Sequence, residues 1–286
     1  MSAPKHKVLA RAAIALGSIV IVGFSLSPFV WMLIASITPE AGAQNGETWT
    51  SVRAVQYWPQ SPTLSNYWAL FDTVPFLAYF RNSFIVAAGT MVLATSVASL
   101  GAYGFVRFRF RARAQILFAM LLAYMVPTVV LLVPLMVIFR TYGLINTYPG
   151  LILAESTIAA PFELLLMINY FSSLPRDLEE AALVDGCTLV GAFVRIVLPL
   201  AAPGLVAGAM FAFINTWNHF LYAYLLTSSD STKTLPVIMR LFALGEPAVW
   251  GTSAAGAVLT TLPVAALFLV FQRKFIGGLA AGAVKG

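Results

Sequence analysis

Charge is the scarcest resource in this chain. Only 10% of its 286 residues are Asp, Glu, Lys or Arg, against about 25% in an ordinary soluble domain. A single cysteine, Cys187, excludes an internal disulfide and a thiolate metal cluster. Two histidines, His6 and His219, cannot build a histidine-rich metal site. No lysine follows a glycine, so the Gly-Lys-Ser/Thr phosphate loop is missing, and ATP chemistry must come from another polypeptide. A His-Glu-x-x-His pair and a Gly-x-Ser-x-Gly elbow are also missing, which argues against an intramembrane enzyme. The net charge of +6 is spread thinly along an apolar chain. That pattern fits membrane topology, not a basic face for nucleic acid.

What is present is apolar: 60% of the residues are hydrophobic. A helix needs about 20 such residues to cross the hydrocarbon core, and unpaired backbone in lipid leaves helices as the workable element. Six runs qualify, at Arg11–Ala35, Ser83–Val106, Ala114–Phe139, Leu144–Phe171, Pro203–Thr227 and Ala248–Phe271. The first is too long for a secretory signal and ends without a good cleavage site, so it is expected to be a retained span. The fourth is interrupted by Glu155, Pro161 and Glu163. The expected fold is an all-α polytopic membrane protein, one permease domain over residues 1–286 with six transmembrane helices.

With the N-terminus inside, the inner segments hold Lys5, Lys7, Arg11, Arg107, Arg109, Arg111, Arg113, Arg176, Arg195, Arg273, Lys274 and Lys285. The outer ones hold only Arg53, Arg81, Arg140, Lys233 and Arg240. The positive-inside rule then places both termini in the cytoplasm. Segments 36–82 and 227–247 become external, and 172–202 becomes a cytoplasmic loop.

That loop is strongly punctuated: Leu174-Pro-Arg-Asp-Leu-Glu-Glu-Ala-Ala-Leu-Val-Asp-Gly186, then Cys187 to Pro199. Pro175 suits a first helical turn, and Asp177, Glu179 and Glu180 suit the positive end of a helix dipole. Gly186 can end that helix in a left-handed conformation, Thr188 can cap a second, and Pro199 should limit it. An acid-tipped helical elbow is expected.

Glu180-Ala-Ala, Gly186 after three residues, and Ile196-x-Leu-Pro199 after nine more resemble the EAA loop of ABC-importer permeases. Arg81-Asn-Ser-Phe-Ile-Val86 and Phe213-Ile-Asn-Thr-Trp-Asn-His-Phe-Leu221 resemble the carbohydrate-uptake branch, although His219 stands where an acid is common. The last residues, Gly278 to Gly286, are similar to those of the maltose-permease MalG type. The resemblance implies a type I ABC-importer permease fold in the bacterial inner membrane. It implies a second homologous permease, two ATPase subunits carrying ATP and Mg, and an extracytoplasmic binding protein, with no cofactor on this chain. Sugars or oligosaccharides are the implied solutes, with polyols or glycerol-phosphate esters as the alternative. A channel or secondary transporter would also show six spans, but it gives the elbow no role.

In the same terms, Leu178, Glu179, Glu180, Ala181, Ala182, Asp185, Gly186, Ile196, Leu198 and Pro199 would couple to the ATPase. An extended tail with Gly282, Val284, Lys285 and Gly286 would touch it too. Asn215, Asn218, His219 and Tyr222 recur at i, i+3, i+4 and i+7, one face of a helix. With Glu155 and Glu163 they could line a hydrated solute path. Alternatively, Glu155 reaches the outer headgroups while Glu163 and His219 satisfy each other or the partner. Small residues at Ala98, Gly101, Ala102, Gly104, Gly204 and Gly208 suit close helix packing, either with the second permease or within this subunit.

Overall fold

A computed structural model describes residues 5–39, 59, 61–244 and 250–283, and every regular element among them is a helix. Four helices are long and apolar enough to cross a membrane: α1 (Lys5–Ser36), α3 (Phe76–Arg107), α6 (Tyr148–Ser172) and α13 (Trp250–Ala283). Two bent pairs raise the number to six if each pair is one span.

Two of the expected spans, the third and the fifth, are interrupted in the structure. Residues 114–139 do not form one helix: α4 (Arg113–Met125) and α5 (Thr128–Thr141) meet at 99°. Val126 precedes Pro127 and takes an extended backbone (ψ 124°), because the proline ring crowds a helical residue before it. The fifth run, 203–227, is also divided. α10 (Ala202–Asn218) stops at His219, whose backbone is extended (ψ 122°), and a short α11 (Leu221–Leu226) follows. The Asn218 side chain donates to the Ile214 carbonyl at 2.8 Å, a local bond of the kind that competes with helix propagation. By contrast, α6 runs unbroken through Pro161.

The described residues fall into two compact units. In the unit of residues 1–74 and 239–261, the end of α1 is tied to α2 (Ser65–Thr73). Asn66 is buried and its amide donates to the carbonyls of Ser36 (3.0 Å) and Thr38 (2.8 Å). Tyr67 donates to the Ser36 hydroxyl. Gly251 permits the approach of α13, since a Cβ there would sit 2.6 Å from the Asn66 amide nitrogen.

The unit of residues 75–238 and 262–286 is built on α3, α6 and α10, which meet at Ala94, Ala159 and Ala212. Side chains of α6 fill the notches left by small residues. A Cβ on Gly101 would lie 2.8 Å from Leu164, and one on Gly204 would lie 2.5 Å from the Tyr170 ring. Ala98 and Ala102 are likewise buried in the core. In this subunit those small residues therefore serve internal packing, except Gly104, which has open space beside it.

At one end of this unit, residues 227–234 are held by hydrogen bonds. Asn146, left-handed at φ 59°, accepts on its side-chain oxygen from Ser228 N (2.9 Å), Ser229 N (3.1 Å) and the Thr232 hydroxyl. The buried Asn82 donates to the Lys233 carbonyl at 2.8 Å and accepts from Tyr148 at 2.6 Å. Hydrogen bonds from Lys233 and Tyr79 hold the Asp230 carboxyl below the ordinary carboxylate range.

Candidate functional site

The loop after α6 forms the expected elbow. α7 (Asp177–Val184) carries its three acids in the first turn, where they face the positive end of the helix dipole. Gly186 is left-handed (φ +87°) and turns the chain. Thr188 caps α8 (Leu189–Ala192) by accepting from Gly191 N at 3.0 Å. A wide π-helical stretch, Phe193–Val197, and α9 (Leu198–Leu200) follow. Pro199 does not limit the helix as expected. It lies in the first turn of α9, where its missing N–H costs little, and the 79° bend into α10 comes after Leu200.

The structure sorts the coupling candidates by direction. Leu178, Glu180, Ala181, Asp185, Gly186 and Pro199 are exposed, Ile196 and Leu198 are half-buried, and Ala182 is buried. Glu179 points inward and is only 7% exposed. It takes the guanidinium of Arg107 (Nε to Oε1, 2.6 Å) and the Tyr103 hydroxyl (3.1 Å to Oε2). Glu179, one of the residues expected to couple to the ATPase, is thus an internal anchor of the elbow. The periodicity of α7 carries this information, since residues 179 and 182 share a face.

Sequence reasoning missed Arg107 and Tyr103, whose role depends on a partner 72 or more positions away. It also missed an apolar strip on the elbow, Leu183, Val184 (88% exposed), Leu189, Val190 and Val194, beside Leu178. Bare aliphatic side chains on a loop bearing acids were the available signal.

The proposed path residues do not form one helical face, because α10 stops at Asn218. Asn215, Asn218 and His219 line an open groove of about 450 Å³ together with Phe211 and Ile214. Tyr222 lies in the core instead, with its ring edge-on to His219 at 5.2 Å. His219 Nδ1 is 2.9 Å from Glu155 Oε1, so its acid partner is Glu155, not Glu163. Glu155 is buried inside the subunit. Glu163 is fully buried beside Gly208, with the Thr95 side chain as its polar neighbour.

The tail is helical through Ala283, not extended. Ala280, Ala281 and Ala283 favour helix strongly enough to offset the glycines. Gly282 is within this helix, and Val284, Lys285 and Gly286 lie outside the described residues.

Among the described residues, an all-helical build with two interrupted apolar runs and an elbow of this form defines the membrane subunit of a transporter. Over residues 91–277 the sequence matches the family described as "Binding-protein-dependent transport system inner membrane component", and the chain belongs to that family. It is 37% identical over 262 residues to the sulfoquinovosyl glycerol transport system permease protein SmoH of Agrobacterium fabrum, covering 91% of this chain and 89% of that protein. It is 36% identical to the trehalose transport system permease protein SugB of Mycobacterium tuberculosis, covering 93% and 94%. It is 33% identical to the trehalose/maltose transport system permease protein MalG of Thermococcus litoralis, covering 99% of both. The fold matches a chain of a bacterial ABC transporter involved in the import of alginate, with a TM-score of 0.76 at 20% identity, covering 96% of this chain and 99% of that one. The protein is thus a multi-pass inner-membrane permease subunit of a binding-protein-dependent ABC importer. ATP hydrolysis belongs to a separate subunit.

Proposed function

We propose that this subunit forms half of a sugar or oligosaccharide path and is driven through its elbow by a cytoplasmic ATPase that holds ATP and Mg. The exposed strip Leu178, Leu183, Val184 and Val190, rimmed by Glu180 and Asp185, carries this reading. Such a strip on a short loop needs a cover, and a protein cleft supplies one. Gly186 sets the turn that presents it, and Ala181 allows close approach. With the N-terminus inside, both termini are cytoplasmic, and the C-terminal residues Gly282, Val284, Lys285 and Gly286 are proposed to touch the same ATPase.

The groove at Asn215, Asn218 and His219 supplies the polar groups for a polyhydroxylated solute. Amide and imidazole groups can replace the water that a sugar loses. The named solutes of the relatives, sulfoquinovosyl glycerol and trehalose, support a glycoside class. The test has two arms. A thermal-shift screen of the cognate binding protein should identify a glycoside, and Asn215→Ala should then reduce uptake of it in proteoliposomes while binding-protein docking is kept. A non-carbohydrate ligand for that binding protein would overturn the solute class.

A further inference from the structure

α3 runs 32 residues without a break, about 48 Å at 1.5 Å per residue. Buried polar links sit at both of its ends. At one end, Glu179 of the elbow takes Arg107 and Tyr103, and Arg176 Nη2 donates to the Val106 carbonyl at 2.9 Å. The Tyr103 ring also packs on Phe193 of the π-helical stretch, 4.6 Å between centroids. At the other end, Asn82 holds the Lys233 carbonyl and Ser83 Oγ accepts from Leu235 N at 2.8 Å. Between the ends, Ala87, Ala94, Ala98 and Ala102 are buried. The helix therefore cannot slide without opening the core.

We infer that α3 is a strut that carries motion of the elbow to the 227–234 loop, with Glu179–Arg107 as its inner joint and Asn82 as its outer one. This rests on the reading of the elbow as the ATPase-docking element. A buried ion pair adds little net stability over an apolar pair of the same shape, but it can fix one geometry. Here it fixes the direction of α7 against α3 and leaves the opposite face of α7 free for a partner. Glu179 is thus a positioning residue, not part of the docking face.

Spatial connection alone does not demonstrate coupling, so the test is a cycle on the full complex in proteoliposomes, read as solute imported per ATP hydrolysed. Glu179→Gln and Asn82→Ala are each expected to lower that ratio at least fivefold. Because both act through one strut, the double variant should be no worse than the stronger single one, within about twofold. Tyr103→Phe keeps the ring packing and removes one hydrogen bond, and it should lower the ratio about twofold to threefold. If Glu179→Gln prevents assembly, Tyr103→Phe with Asn82→Ala completes the same cycle. A ratio unchanged in Asn82→Ala, or losses that multiply in the double variant, would overturn the strut. Failure of the docking reading shows separately: Val184→Asp, on the outer face, would then still co-purify the ATPase at the wild-type level.

Discussion

His219 Nδ1 lies 2.9 Å from Oε1 of Glu155, which fastens the end of α10 to the first half of α6. The second oxygen of Glu155 is buried without a partner. Removing the imidazole would therefore leave a buried carboxyl group with no partner on either oxygen, and an unsatisfied buried polar group costs about 1–3 kcal/mol. His219→Ala should lower the unfolding temperature of the purified protein in detergent. Adding Glu155→Leu should recover most of the loss, because it removes the unpaired polar group. A double variant as unstable as His219→Ala would show that the unpaired carboxyl group is not the cause.

The contact of Gly204 with Tyr170 gives a second expectation. A methyl group at 204 would sit 2.5 Å from the ring, and overpacking of this kind costs about 1–3 kcal/mol. Gly204→Ala should be destabilised and Tyr170→Leu should relieve it. If Gly204 instead served the second permease, Gly204→Ala would weaken permease pairing with no loss of subunit stability, which co-purification against melting would reveal.

Gly186 is set apart by its backbone, not by crowding. Its φ is +87°, and nothing lies within 4 Å of the position a Cβ would take. Left-handed backbone costs an L-residue about 1–2 kcal/mol, and a β-branched one more. Gly186→Val should insert normally yet lose binding-protein-stimulated ATP hydrolysis, while Gly186→Asn should keep most of it. Normal uptake by Gly186→Val would remove the case for the turn in coupling.

The loop at 227–234 depends on Asn146. Asn146→Ala strands two backbone N–H donors, from Ser228 and Ser229, and keeps the left-handed strain. Ser228 is exposed and Ser229 half-buried, so water takes over part of what is lost and each bond contributes about 0.5–1.5 kcal/mol. Asn146→Asp keeps the acceptor and should be milder. Limited proteolysis of the loop, compared across the two variants, reads this directly. On acidification the nearby Asp230 keeps its link to Lys233 to below the ordinary carboxylate range. Its folded-state pKa is lowered, so the contribution is present at neutral pH and lost as pH falls through that value.

The elbow was legible from sequence because its signals are local. Gly186, Thr188 and the acids of the first turn each act on backbone within a few positions, and the structure has them in those roles. The breaks were harder to see. Hydropathy is blind to a bend: Val126-Pro127 and Asn218-His219 sit inside runs that average as apolar, and only the backbone geometry divides them.

The sequence by itself determined the environment and the class of this protein. Scarce charge and long apolar runs require helices in lipid, and the spacing from Glu180 to Pro199 identifies the transport family. Tertiary structure alone decided which partner each polar group has. Glu179 and Glu180 are neighbours of the same chemistry, yet one is buried against Arg107 and the other is exposed. Glu155 and Glu163 are both buried in α6, yet only Glu155 meets His219. A 3.6-residue turn sends adjacent side chains to different faces, and what waits on each face is set by helices far away in the chain.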